Sequence, residues 1–108
     1  MEEALKCLGK PDSYNVYVID NPEGTTLMLM LWYPAKGVAL TSHSSSYFLR
    51  PRLNSFNEHT ELEDLYVFKP APVSEMVKYF YSDAFQMIIL KTMQSWPDQV
   101  KELMPIDQ

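Results

Sequence analysis

The chain has 108 residues, of which 46% are hydrophobic and 21% charged, and it carries a net charge of −5. Such a composition excludes a disordered chain. An acidic balance without any long basic run also argues against nucleic acid or an anionic membrane surface as the main partner.

The length predicts a single domain over residues 1–108, large enough to bury roughly two thirds of its unfolded surface. The apolar runs around residues 27–33 and 84–90 are too short to span a bilayer. Met-Glu-Glu-Ala at the start is acidic and lacks the apolar core of a secretory signal. The protein is therefore cytosolic, or the sequence begins after a removed leader. The sole cysteine, Cys7, excludes an internal disulfide framework and reads as a small buried residue on the first helix.

Residues Glu2 to Leu8 predict a short helix. Ala4, Leu5 and Leu8 form its apolar stripe, the acids sit at its positive end, and Gly9 and Pro11 stop it. Tyr14 to Asp20 predicts a strand, closed by the turn Asn21-Pro22-Glu23-Gly24. Thr25 to Thr41 is the organising stretch. Met28, Met30 and Trp32 fall on one face of a strand, and Leu27, Leu29, Leu31 and Tyr33 on the other. Both faces are apolar, which predicts a central strand covered on both sides. Pro34 suits the first central position of a type I turn, and Gly37 suits the left-handed position of a bulged hairpin. Val38 to Thr41 is the return strand.

From Ser42 to Asp64 the pattern fades: Tyr47-Phe48-Leu49 is a short apolar run ended by Arg50-Pro51-Arg52, and Asn54 to Asp64 reads as a long, acid-rich surface loop that is mobile, functional or hides a short helix. Leu65 to Phe68 predicts a fourth strand. Pro72 can open a helix in which Val73, Met76, Val77 and Phe80 keep helical spacing. Ser82-Asp83 can cap a second helix from Ala84, with Asp83 and Gln86 at capping-box spacing and Phe85, Ile88, Ile89 and Met93 as its buried stripe. Phe85 to Leu90 also fits a short buried strand, and periodicity leaves both open. Val100 to Met104 adds a last turn. The fold class expected is α+β: a four-stranded antiparallel meander with the N-terminal helix and the C-terminal helices packed against it.

No residue set points to catalysis. His43 and His59 lack the converging ligands that a zinc site needs. The serines around His43 lack a nucleophile elbow and read as a polar patch. Glu58, Glu61, Glu63 and Asp64 lack EF-hand spacing and read as a solvated acidic loop. No cofactor or metal is expected. The aromatic fraction, 13%, exceeds what a small core strictly needs, so core takes most rings and one patch is left for a partner.

The helix ending in Leu8-Gly9-Lys10-Pro11-Asp12, followed by antiparallel strands with a glycine in the last turn, resembles the SmpA/OmlA (BamE-like) group of small bacterial lipoproteins. That group has a small α+β fold shared with the β-lactamase inhibitory proteins. The matching positions are Leu8, Gly9, Pro11, Tyr33 and Gly37, so the resemblance covers little more than a third of the chain. The group's pattern has a helix hairpin before this point and a lipid-anchoring cysteine upstream. Cys7 is not in a lipobox context, and the anchor is not carried over. The resemblance implies an exported, non-catalytic protein-binding domain of the cell envelope and carries over no binding residues.

The function expected is thus a non-enzymatic protein-interaction domain. Its partner is a protein, a second copy of the chain included. The expected contact residues are Tyr47, Phe48, Arg50, Arg52, Glu61, Glu63 and Asp64. There the acids steer a basic partner and Tyr47 or Phe48 anchors it. The alternative is a small acidic cytosolic inhibitor or immunity-type protein.

Overall fold

The computed structural model describes residues 1–22, 24–47, 56–57, 59–80, 82–98 and 103, the side chains of residues 21 and 44–47 excepted. Strand β2 (Gly24–Tyr33) is the middle of the sheet, flanked by β1 (Ser13–Asn21) and β3 (Val38–Tyr47). Beyond them lie β4 (Asp64–Val67) and β5 (Met93–Ser95), giving the antiparallel order β4-β3-β2-β1-β5. Five strands stand where the sequence predicts four. The extra one, β5, spans 3 residues, too few to show a period-two pattern, and it takes Met93 out of the expected helical stripe.

The two faces of β2 are both buried, as its apolar pattern predicts. Leu27, Leu29, Leu31 and Tyr33 join Tyr14, Val16 and Leu40 in one core. This core is covered by Ala4, Leu5 and Leu8 of helix α1 (Glu2–Leu8), by Leu62 and Trp96, and by the bridge between Phe56 and Leu103. Met30 and Trp32 join Tyr17 and Ala39 in the other core. The covering side chains there are Met76 of α2 (Val73–Met76), Val77 of the following 3-10 turn and Ile89 of α3 (Asp83–Lys91). Phe85 to Leu90 is therefore helix. Among the described residues no helix is long and apolar enough to cross a membrane.

Three expectations are corrected. Strand β3 runs on through Ser42 to Tyr47, because it pairs with β2 residue by residue as far as Gly24. A ladder bonds backbone to backbone, so the polar serines join it without an apolar signature. Cys7 is exposed, because α1 turns Ala4, Leu5 and Leu8 to the sheet and Cys7 away from it. Ile88 is 44% exposed, because Phe85, Ile89 and Thr92, at i, i+4 and i+7, are the line of α3 that faces inward. The last turn expected over Val100–Met104 lies outside the described residues apart from Leu103.

A buried polar chain ties α3 and β5 to the sheet. Trp32 is fully buried, and its indole Nε1 donates to Asn15 Oδ1 at 2.7 Å. Asn15 Nδ2 donates to Thr92 Oγ1 at 3.3 Å, and Thr92 Oγ1 donates to Ile88 O at 2.7 Å. The indole N–H, the Asn15 amide and the Thr92 hydroxyl thus find partners, as burial without water demands, whereas Ser13 Oγ, opposite Trp32 on β1, is buried with no hydrogen-bond partner among the described residues. On the opposite core, Tyr33 donates to Gly9 O at 3.0 Å, and burial pushes its phenol up to about 12.

Gly37 adopts a left-handed φ of 66°, ending the short 3-10 turn Pro34–Lys36. The ladder continues unbroken to Tyr33↔Val38, so Gly37 closes the turn without a bulge. A second demand falls on the same residue. Gly37 O accepts the Phe68 amide at 2.6 Å, and a Cβ at position 37 would stand 2.1 Å from Phe68 O. Gly37→Val is expected to cost about 3 kcal/mol through strain and that backbone clash, read as a lowered urea midpoint. An unchanged midpoint would contradict this account of the turn.

Candidate functional site

The helical layer is short for the sheet beneath it. Helix α3 has 9 residues and so reaches about 13 Å, whereas a strand of β2's length reaches about 34 Å. The helices cover the end of the sheet at Trp32 and leave part of the same face open. The open part is a groove of about 470 Å³.

The register explains its lining. Side chains opposite one another across an antiparallel sheet share a face. One row runs Met93–Asn15–Met30–Thr41–Asp64, the next Tyr17–Met28–His43, and Trp32–Ala39–Tyr66 lies on the far side of the first. Met30, Met28, Thr41 and Tyr17 line the groove from the sheet. Asp64 and Tyr66 line it from β4, and Phe68 from just beyond that strand. Tyr79, Phe80 and Phe85 close it from the helical layer. Among the described residues Asp64 is the one charged residue in the lining.

The rings form a connected set. Phe80 has its centroid 5.8 Å from Trp32, 5.4 Å from Tyr66, 5.9 Å from Phe68 and 6.1 Å from Phe85. These separations lie within the favourable range for aromatic pairs. Tyr66 and Phe68 lie nearly parallel, 14° apart, and Tyr79 extends the row from Phe68 at 5.4 Å. Ala39 is the small residue opposite Tyr66 and Trp32, leaving room for Phe80 between them. Buried Trp32 thus supports a ring set whose outer members, Tyr66 and Tyr79, are 39% and 68% exposed.

The expected contact residues fall in different places. Glu61, Glu63 and Asp64 are exposed and stitched to β3. Ser42 Oγ donates to Glu61 O at 2.7 Å, the Glu63 amide donates to Thr41 O at 2.8 Å, and Thr41 Oγ1 donates to Asp64 Oδ2 at 3.3 Å. His43 Nδ1 pairs with the Glu63 carboxylate. Glu61 lines a different cleft on the opposite face, with Glu2, His59 and Leu40, where His59 meets Glu2 at 3.0 Å. Only Asp64 of the three lines the aromatic groove. Tyr47 ends β3, paired with Gly24, and its side chain is outside the described set; Phe48, Arg50, Arg52 and Glu58 lie outside the described residues. Ser42 and His43 face opposite sides of the sheet, so they do not form a dyad. Among the described residues no three histidine, cysteine or acidic side chains converge on a metal position.

Tyr66, Phe68, Tyr79, Phe80 and Phe85 are missing from the contact residues read from the sequence. The signal that could have found them is Tyr66 and Phe68 at i, i+2 on one face of a strand whose neighbour offers only Ala39. In comparisons with known protein families, curated proteins and solved structures, the chain matches none.

Ser82, on the groove's rim, holds φ at 111°, where L-residues are strained. Its hydroxyl accepts the Phe85 amide at 3.2 Å, making Ser82 the cap of α3. Gln86 does not complete a capping box with Asp83: its Nε2 donates to Phe80 O at 2.9 Å and fixes the turn that carries Phe80. Ser82→Ala keeps the strain and loses the cap, and is expected to cost about 1 kcal/mol. Ser82→Gly loses the cap but relieves the strain, and is expected to be neutral or stabilising by up to about 1 kcal/mol. Urea denaturation of the two variants checks the ordering, and equal midpoints would contradict it.

Proposed function

We propose that the chain is a non-enzymatic protein-interaction domain and that the aromatic groove is where it receives its partner. The observation that carries this reading is the exposed end of the ring set, Tyr66 and Tyr79, continuous through half-buried Phe68 and Phe80 with the buried Trp32. Tyrosines held rigid lose little side-chain freedom when covered, and they are prominent among interface hot spots. A concave apolar site with a few polar groups at its margin is also the usual form of a binding site. The resemblance at Leu8, Gly9, Pro11, Tyr33 and Gly37 supports a setting in the bacterial cell envelope. A second reading, an acidic inhibitor of a basic partner, draws on the exposed Glu61, Glu63 and Asp64 beside β4.

A photo-crosslinking side chain placed at position 66 or 79, in protein expressed in its native host, tests the proposal. We expect a discrete protein adduct from these positions and none from position 6, on the outer side of α1. No adduct from 66 and 79, or the same adducts from position 6, would overturn the groove as the contact surface. The adduct's identity separates the two readings: an envelope component supports the first, and a basic enzyme or toxin supports the second.

A further inference from the structure

We infer that the partner's anchor in the aromatic groove is a basic side chain, with arginine the best fit; the inference rests on the groove being the partner site. The groove's walls are rich in aromatic rings, whose faces carry the negative potential of a quadrupole, and among the described residues its one charge is a carboxylate. A guanidinium stacks on Tyr and Phe faces along its plane and presents N–H groups to a carboxylate at its edge. The row Tyr66–Phe68–Tyr79 supplies the faces, and Asp64, two residues before Tyr66 on the same side of β4, supplies the acceptor.

Asp64 is held in place and still has capacity. Thr41 Oγ1 donates to its Oδ2, and Oδ1 has no partner among the described residues. Among the described residues no lysine, arginine or histidine lines the groove. Lys78, next to Tyr79 in sequence, is engaged with both carboxylate oxygens of Glu75 at 3.2 Å. Among the described residues the groove therefore presents a carboxylate beside the exposed Tyr66 and Tyr79 with no cation of its own.

A neutral apolar anchor fits less well. Seated over the rings, it would strip water from Asp64 and return no hydrogen bond, and a charge desolvated without a partner is costly. An acidic anchor would face Asp64 and a chain of net charge −5. A basic anchor on a long apolar stem uses both parts of the site at once, since arginine and lysine bury their stems along apolar surface.

Short blocked peptides separate these cases. Uniformly 15N-labelled protein is titrated with acetyl-Ala-Arg-Ala-amide and with the same peptide carrying norleucine or glutamate at its centre. Amide shifts of Asp64, Tyr66, Phe68 and Tyr79 are followed. The expected result is saturable movement of these resonances by the arginine peptide, with affinity at least about threefold above the norleucine peptide and no saturable movement by the glutamate peptide. Asp64→Asn, which keeps an acceptor for Thr41, is expected to remove that preference. Tyr79→Leu, at an exposed position, is expected to weaken the arginine peptide by about threefold should the first variant prove unstable. Equal affinity for arginine and norleucine would overturn the cationic anchor and leave the groove as an apolar docking site. Movement by the arginine peptide only at Glu61 and His59, on the opposite face, would overturn it too, as would no movement by any peptide. The crosslinking experiment on the folded chain remains the separate test of the groove as the partner site.

Discussion

Everything in this fold follows from a central strand that is apolar on both sides. Leu27, Leu29 and Leu31 need one cover and Met30 and Trp32 need another, so a single layer of helix cannot satisfy β2. The covers come from the segments before β1 and after β3. Helix α1 and the segment around Leu62 close the leucine side, and α2 to α3 close the methionine and tryptophan side. Burying Trp32 completely brings a polar requirement with it. Asn15 meets the indole N–H, and Thr92 meets Asn15. That chain of donors fixes where α3 ends and where β5 begins, since Thr92 is the residue between them.

The groove is a consequence of that anchoring. With α3 pinned at the Trp32 end, a nine-residue helix has no means of reaching the far half of a ten-residue strand. Half-buried Met28 lines the groove there beside buried Thr41 and Tyr17, and the aromatic set around Phe80 forms its border. Two strained or crowded backbone positions hold the boundary in place. Gly37 receives the Phe68 amide, and Ser82 turns the chain into α3. The structure thus pins its rings from below and leaves two of them facing solvent, as the proposed contact surface requires.

How much of this could be read from residues alone depends on whether side chains or backbone partners set each feature. Helix α1 and the β2–β3 turn were legible because Gly9, Pro34 and Gly37 act locally. The two-sided burial of β2 was legible because its leucines and methionines alternate between faces that are both apolar. Strand β3 beyond Thr41 was not, because serines give no apolar period and the ladder to β2 is made by backbone groups. Strand β5 was too short to carry a pattern. The acidic stretch was recognised as solvated but read as a loop, and only the sheet register distributes it. Asp64 falls beside the rings and Glu61 on the other face, a division that no spacing in the sequence reports. The aromatic groove itself joins residues 17, 66, 68, 80 and 85, which meet only through the sheet order.

The central claim is that the free protein buries both faces of β2 and still holds the groove open. The methionines are natural reporters of this, since Met30 and Met76 lie in the core, Met28 lines the groove and Met87 is 55% exposed on the outer side of α3. The direct measurement is broadening of 13C-methyl methionine signals by a soluble gadolinium chelate. The account predicts strong broadening at Met87, intermediate broadening at Met28, and none at Met30 and Met76. Protection of Met28 equal to that of Met76 would mean that the helical layer covers the whole face and no groove exists. Broadening of Met30 and Met76 to the level of Met28 would mean that the layer is not seated on β2 at all.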